Sequence, residues 1–128
     1  MGGSESILVA EDEPRVRAVV VRILERAGYH VITAEDGEDA VRKFDEHRAA
    51  LDLVLLDAVM PNKSGTEALA EIRSRASDMP AVLCSGYTDS LASVSALEGV
   101  TFLAKPYEPD ELLRVVRQRL DGRPRAAT

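Results

Sequence analysis

A chain of 128 residues, 45% hydrophobic and 30% charged, has the size and composition of one folded domain and is not a disordered polypeptide. The formal net charge of −6 argues against a dedicated nucleic-acid binder, and the single cysteine, Cys84, excludes an internal disulfide and a cysteine-based zinc site. No apolar run is long enough to cross a bilayer and no signal peptide is visible, so no membrane association and a cytoplasmic location are expected.

Residues 1–5 are small or polar and read as a flexible or added N-terminus. Ser6-Ile7-Leu8-Val9-Ala10 predicts a buried first strand, followed by Glu11-Asp12-Glu13-Pro14, where Pro and acids suit the start of a helix. Val16, Val19, Val20, Ile23, Leu24 and Ala27 then recur at helical spacing, and Gly28 stops the helix. His30 to Ala34 is the second strand, and Gly37 to about His47 the second helix, with Ala40, Val41 and Phe44 inward. Leu53-Val54-Leu55-Leu56 is a short apolar run ending in Asp57, the pattern of a strand buried on both faces. Pro61 and Gly65 break the chain into a loop, and Ser64 can cap a third helix with Leu69 and Ile72 inward and Ala68 and Ala76 beside them.

Pro80 to Ser85 is the fourth strand, with Gly86 turning the chain. A serine-rich fourth helix starts at Thr88 or Asp89, runs to about Glu98 and ends at Gly99. Thr101 to Lys105 is the fifth strand; Pro106 stops it. Pro109, Asp110 and Glu111 open a last helix carrying Leu112, Leu113, Val115, Val116 and Leu120 inward. Residues 6–121 thus form one domain, with 122–128 a tail or linker. Five strands alternating with five helices imply right-handed βαβ units and a parallel sheet covered on both faces.

In such a sheet the carboxyl ends of the strands share one edge, where open α/β folds place their ligand chemistry. That edge collects Glu11, Asp12, Asp57, Ser85 and Lys105. Three carboxylates brought together repel one another unless a hard cation sits among them, and Mg²⁺ takes oxygen ligands of this kind together with a phosphate. Lys105 adds a second positive charge and Ser85 a hydroxyl donor, so the set suits a phosphoryl group arriving on Asp57 acting as a nucleophile. Each residue alone has a plainer reading: a helix-start acid, a turn aspartate, a solvated lysine. Cys84 is out of register with Ser85 and packs in the core, and His30 and His47 are surface residues.

The motifs Glu11-Asp12, Asp57-Ala58-Val59-Met60-Pro61-Asn62-Lys63-Ser64-Gly65, Ser85-Gly86 and Lys105-Pro106 together resemble those of the receiver domain of two-component response regulators, over about residues 6–120. The resemblance implies a flavodoxin-like (βα)5 fold with strand order 2-1-3-4-5. It implies that Asp57 accepts a phosphoryl group from the phosphohistidine of a sensor histidine kinase or phosphotransfer protein. Glu11, Asp12, Asp57 and the backbone carbonyl of Val59 would hold Mg²⁺, or Mn²⁺ in its place. Ser85 and Lys105 would bind the phosphoryl group, Phe102 would be the aromatic switch, and Lys105–Pro106 would be a cis peptide bond. The fourth helix, fifth strand and last helix would form the output surface, facing a downstream domain or protein or a second copy in a homodimer. Such a domain catalyses only its own phosphorylation and dephosphorylation. The text around Ser85 and Lys105 is similar to receivers at the ends of hybrid sensor kinases.

The sequence departs from the commoner family pattern in having Glu at position 11, Ser at 85 and Phe at 102. An aspartyl-phosphate hydrolase would need a second acid two residues after Asp57, where Val59 stands. A flavodoxin would need a phosphate loop where Glu11 and Asp12 stand. The remaining alternative is a non-phosphorylated pseudo-receiver that acts as a protein-binding module.

Overall fold

The computed structural model of the protein describes residues 3–85 and 99–122. Strands β1 (Ser6–Ala10), β2 (His30–Ala34), β3 (Leu53–Asp57), β4 (Ala81–Ser85) and β5 (Val100–Ala104) form one parallel sheet in the order β2-β1-β3-β4-β5. Four helices lie among the described residues: α1 (Pro14–Arg26), α2 (Gly37–His47), α3 (Gly65–Arg75) and α4 (Pro109–Asp121). This is the flavodoxin-like plan and strand order expected. Gly86, Tyr87 and the expected helix over 88–98 lie outside the described residues.

The central strands are apolar throughout because both of their faces are covered. Leu8, Val54, Leu56 and Leu83 meet Phe44 of α2 and Leu69 and Ile72 of α3 on one face. Ile7, Val9, Leu53, Leu55 and Val82 meet Leu24 of α1 and Leu112 and Val116 of α4 on the other. Truncating any one of these buried leucines to Ala would cost ~2–5 kcal/mol through lost burial and the cavity left behind. Registers Ala10↔Leu56, Asp57↔Cys84 and Ser85↔Ala104 bring the ends of β1, β3, β4 and β5 to one edge of the sheet.

Local chemistry sets where the helices begin and end. Ser64 Oγ accepts from the Glu67 amide at 3.2 Å while the Ser64 amide donates to Glu67 Oε1 at 3.0 Å, a reciprocal cap that starts α3. Asp36 caps α2 by accepting from the Asp39 amide at 2.7 Å. Gly28, at φ 99°, lets the chain leave α1 through the left-handed region.

Three expectations shift. The apolar stripe of α1 is wider than the surface that it buries: Val20 and Leu24 enter the core, while Val16 and Val19 remain 37% and 56% exposed. β5 begins one residue earlier and ends one earlier than expected, because Val100 already pairs with Ala81 and the ladder closes at Ser85↔Ala104. Pro80 precedes β4 and serves the sheet only as an acceptor, its carbonyl taking the Val54 amide at 3.0 Å.

Candidate functional site

Glu11 follows the last residue of β1, Asp57 ends β3, and Lys105 follows the last residue of β5. Residues distant in sequence therefore meet because three neighbouring parallel strands end together. Lys105 Nζ lies 3.1 Å from Asp57 Oδ1 and 3.3 Å from Glu11 Oε1. Glu11, Asp12 and Asp57 each offer a carboxylate oxygen, and these oxygens lie within 4.8 Å of one another. Glu11 and Asp57 are only 6% and 8% exposed, whereas Asp12 is open to solvent.

Two backbone devices steady this edge. The second Glu11 oxygen, Oε2, accepts from the Glu13 amide at 3.1 Å, and Arg17 Nη1 donates to the Glu11 carbonyl at 2.7 Å. Beyond Asp57 the chain is pinned: the Ala58 amide donates to the Cys84 carbonyl at 2.8 Å and the Gly65 amide to the Ala58 carbonyl at 2.9 Å. Gly65 has no alternative, since a Cβ there would collide with the Asp57 carbonyl and the Ala58 Cα. The intervening loop is tied to α2 at its far side, where Asn62 Nδ2 donates to Asp36 Oδ2 at 2.7 Å and Gly37 lies against the Lys63 carbonyl. Asn62 itself takes φ 68°, a conformation that Asn tolerates.

The electrostatics of the cluster follow from its crowding. Burial pushes the Glu11 carboxyl up to about 7, the Glu13 amide opposes this, the Asp57 charge adds to it and Lys105 works against it. Burial disfavours the Lys105 ammonium, but its hydrogen bond and charge contact with Asp57, and then with Glu11, outweigh that and leave its pKa above the usual lysine value. Three carboxylates against one ammonium leave two negative charges at the edge when all are ionised. The donor set is oxygen only, and its charge deficit is that of one divalent cation. These residues therefore fit Mg²⁺, a hard cation that binds few carboxylates and retains waters, better than a soft transition metal.

The other expected site residues fall around this cluster. Ser85 is buried at the end of β4, with its carbonyl taking the Lys105 amide at 2.8 Å. Val59 follows Asp57 on the pinned loop and is 59% exposed. Phe102 lies on β5 opposite Leu83, half-buried against the core. The Lys105–Pro106 peptide bond is cis. Cys84 is buried in the core, and His30 and His47 are exposed. Sequence reasoning passed over Arg17, Asn62 and Gly65 as supports of the edge; the left-handed Asn and the clash at Gly65 become visible only with the backbone in place. It also passed over Tyr107, which packs against the core face that holds Cys84.

Residues 7–117 match the response regulator receiver domain family. The chain is 34% identical over 125 residues to the probable transcriptional regulator ycf27 of Guillardia theta, covering 96% of this chain and 48% of that protein. It is 34% identical over 123 residues to the sensor kinase CckA of Brucella abortus, covering 94% of this chain and 13% of that protein. The chain thus spans about half or less of the length of these curated relatives. Among solved structures, a response regulator receiver domain protein from Clostridium thermocellum superposes with a TM-score of 0.85 at 28% identity, covering 91% of this chain and 94% of that one. The receiver domain of the hybrid histidine kinase CckA superposes with a TM-score of 0.78 at 36% identity, covering 90% and 98%. With the sheet order, the acidic edge and these likenesses together, the chain belongs to the response regulator receiver domain family of two-component signalling.

Proposed function

We propose that this receiver is a phosphoacceptor switch in a two-component phosphorelay, with Asp57 as the acceptor. The observation that carries the reading is the convergence of Glu11, Asp57 and Lys105, with Lys105 Nζ 3.1 Å from Asp57 Oδ1 and 3.3 Å from Glu11 Oε1. Glu11, Asp12, Asp57 and the Val59 carbonyl would hold Mg²⁺ or Mn²⁺. When bound, the metal supplies positive charge to the phosphoryl oxygens. An Asp57 carboxylate oxygen attacks the phosphorus of a phosphohistidine; the new O–P bond forms as the P–N bond breaks and the imidazole leaves. Lys105 offsets charge that builds on the phosphoryl oxygens, as a fixed cation does best in a partly buried site. Ser85 donates its hydroxyl to the phosphoryl group, Phe102 turns inward with it, and the output surface that includes β5 and α4 changes population in favour of a state that is already accessible. That surface faces an output domain or protein or a second copy. The domain works in the cytoplasm, without direct contact with nucleic acid or membrane.

The donor is a sensor histidine kinase or phosphotransfer protein. It docks on an apolar groove of about 690 Å³ beside Lys105, lined by Val16, Val19 and Ile23 of α1 and by Pro106 and Pro109. The exposed valines of α1 there suit an apolar helix face on the donor. Val19→Glu is expected to slow transfer from a phosphorylated donor at least tenfold and leave labelling by acetyl phosphate unchanged. Equal loss with both donors would place the defect at Asp57 and refute the docking face.

Intact mass after incubation with Mg²⁺ and acetyl phosphate tests the acceptor. One phosphoryl group is expected on the wild type, none on Asp57→Asn and none after chelation of the metal. No addition to the wild type, with no Mg²⁺ binding, would overturn the reading in favour of a pseudo-receiver that acts as a binding module.

A further inference from the structure

Tyr107 lies between two spaces. Its outer side lines the groove beside Lys105, and its inner side lines a chamber of about 10 Å³ beneath the acidic cluster. The polar walls of that chamber are Glu11, Asp57, Cys84 and Tyr107; the rest is aliphatic. Cys84 is the register partner of Asp57, so the chamber lies directly under the end of β3. Glu11 and Asp57 can only accept hydrogen bonds when ionised, and a thiol is a weak donor. With both carboxylates ionised, as a bound cation requires, the phenol is the strong neutral donor among these walls, and it also lies in hydrogen-bond reach of the Cys84 thiol. Burial first, then Cys84 and Glu11, raise its pKa, so the hydroxyl keeps its proton. A chamber of about 10–15 Å³ with two to four polar partners is what one buried water requires.

We propose that Tyr107 is a positioning residue for the acidic centre: its hydroxyl and the Glu11 and Asp57 carboxylates hold one water beneath the cluster, and this fixes the two carboxylates for the metal. The inference rests on the reading of Glu11, Asp12 and Asp57 as Mg²⁺ ligands. Groups behind a ligand shell fix its orientation, and their loss commonly costs about 10–100-fold in metal affinity. Tyr107→Phe keeps the ring, and so the packing against the core, while removing the donor.

The test is calorimetric titration of the full chain with Mg²⁺, wild type against Tyr107→Phe, with ultraviolet difference spectra recorded on the same samples. The variant is expected to melt within a few degrees of the wild type, to bind Mg²⁺ about tenfold more weakly, and to lack the tyrosine absorbance change that Mg²⁺ causes in the wild type. Equal affinity in the two proteins would overturn the role of Tyr107 and leave the metal reading standing. No binding by the wild type would overturn the metal reading and this inference with it. A Mg²⁺-dependent tyrosine band that persists in the variant would trace the signal to Tyr29 or Tyr87 and count against Tyr107. Should the variant fail to fold, a high-resolution crystal structure of the wild type decides: a water bridging Tyr107 Oη to Glu11 or Asp57 supports the proposal, and a dry chamber overturns it.

Discussion

Replacing Glu11 by Gln removes a charge that the fold holds at a cost. Burial, with the adjacent Asp57 charge, raises the Glu11 carboxyl from 4.5 to about 7 in the folded protein, despite the Glu13 amide and Lys105. In the unfolded chain the carboxyl ionises near its ordinary value, so between 4.5 and about 7 the unfolded state has lost a proton that the folded state keeps. The unfolded state binds fewer protons there, and stability of the metal-free protein falls as pH rises through that window. At ~1.36 kcal/mol per pH unit, the fall amounts to about 3 kcal/mol and is complete above the folded-state value. Glu11→Gln keeps the size of the side chain and abolishes the ionisation. Urea unfolding in the presence of a chelator, from pH 4.5 to 8, should show the variant gaining on the wild type by about 3 kcal/mol and then levelling off. On the proposed role of Glu11 as a Mg²⁺ ligand, Mg²⁺ should narrow the gap at pH 8, because it stabilises the wild type more than a variant that has lost one of three carboxylates. Parallel pH profiles for the two proteins in chelator would refute the reasoning.

Two further predictions bear on how the edge is built. Gly65→Ala drives a Cβ into the Asp57 carbonyl, and Gly37→Ala drives one into the Lys63 carbonyl; each should cost ~1–3 kcal/mol, or roughly 3–10 °C of melting temperature. Only the first displaces Asp57, so Mg²⁺ titration should show weakened binding for Gly65→Ala and near-normal binding for Gly37→Ala; equal binding by both would refute the positional argument. Burial pushes the Cys84 thiol up to about 12, so at pH 8 a disulfide reagent should label it only after denaturation, and rapid labelling of the native protein would contradict the packing described.

Much of this architecture is legible before any coordinates because the signals are local and repeated. Each strand is a short apolar run, and each of the four described helices is flanked by Pro, Ser or Gly at its ends. The edge residues could be gathered from the parallel-sheet rule alone, since Glu11, Asp57, Ser85 and Lys105 all stand at or one residue past a strand end. What escaped depends on the third dimension. The periodicity of α1 marks Val16 and Val19 as apolar but carries no information on whether a neighbour covers them. Asn62 and Asp36 are 26 residues apart and unremarkable until the loop after β3 folds back on α2. The one-residue offset of β5 reflects pairing with Ala81, which no property of Val100 announces.

The counter-charge that partly offsets the acidic edge hangs from β5. β5 lies at the margin of the sheet and hydrogen-bonds to β4 alone. The ammonium that sits between Glu11 and Asp57 is carried on the residue immediately past this strand, 94 positions from Glu11 in the chain. Margins of sheets open more readily than their centres. Brief detachment of β5 would therefore withdraw the counter-charge and leave two buried acids facing each other, without disturbing β1 or β3 at all. The charge state beside Asp57 is in this way a local gauge of whether the far margin of the sheet is closed, and whatever grips or loosens that margin is felt at the Asp57 carboxylate as a gain or loss of one positive charge.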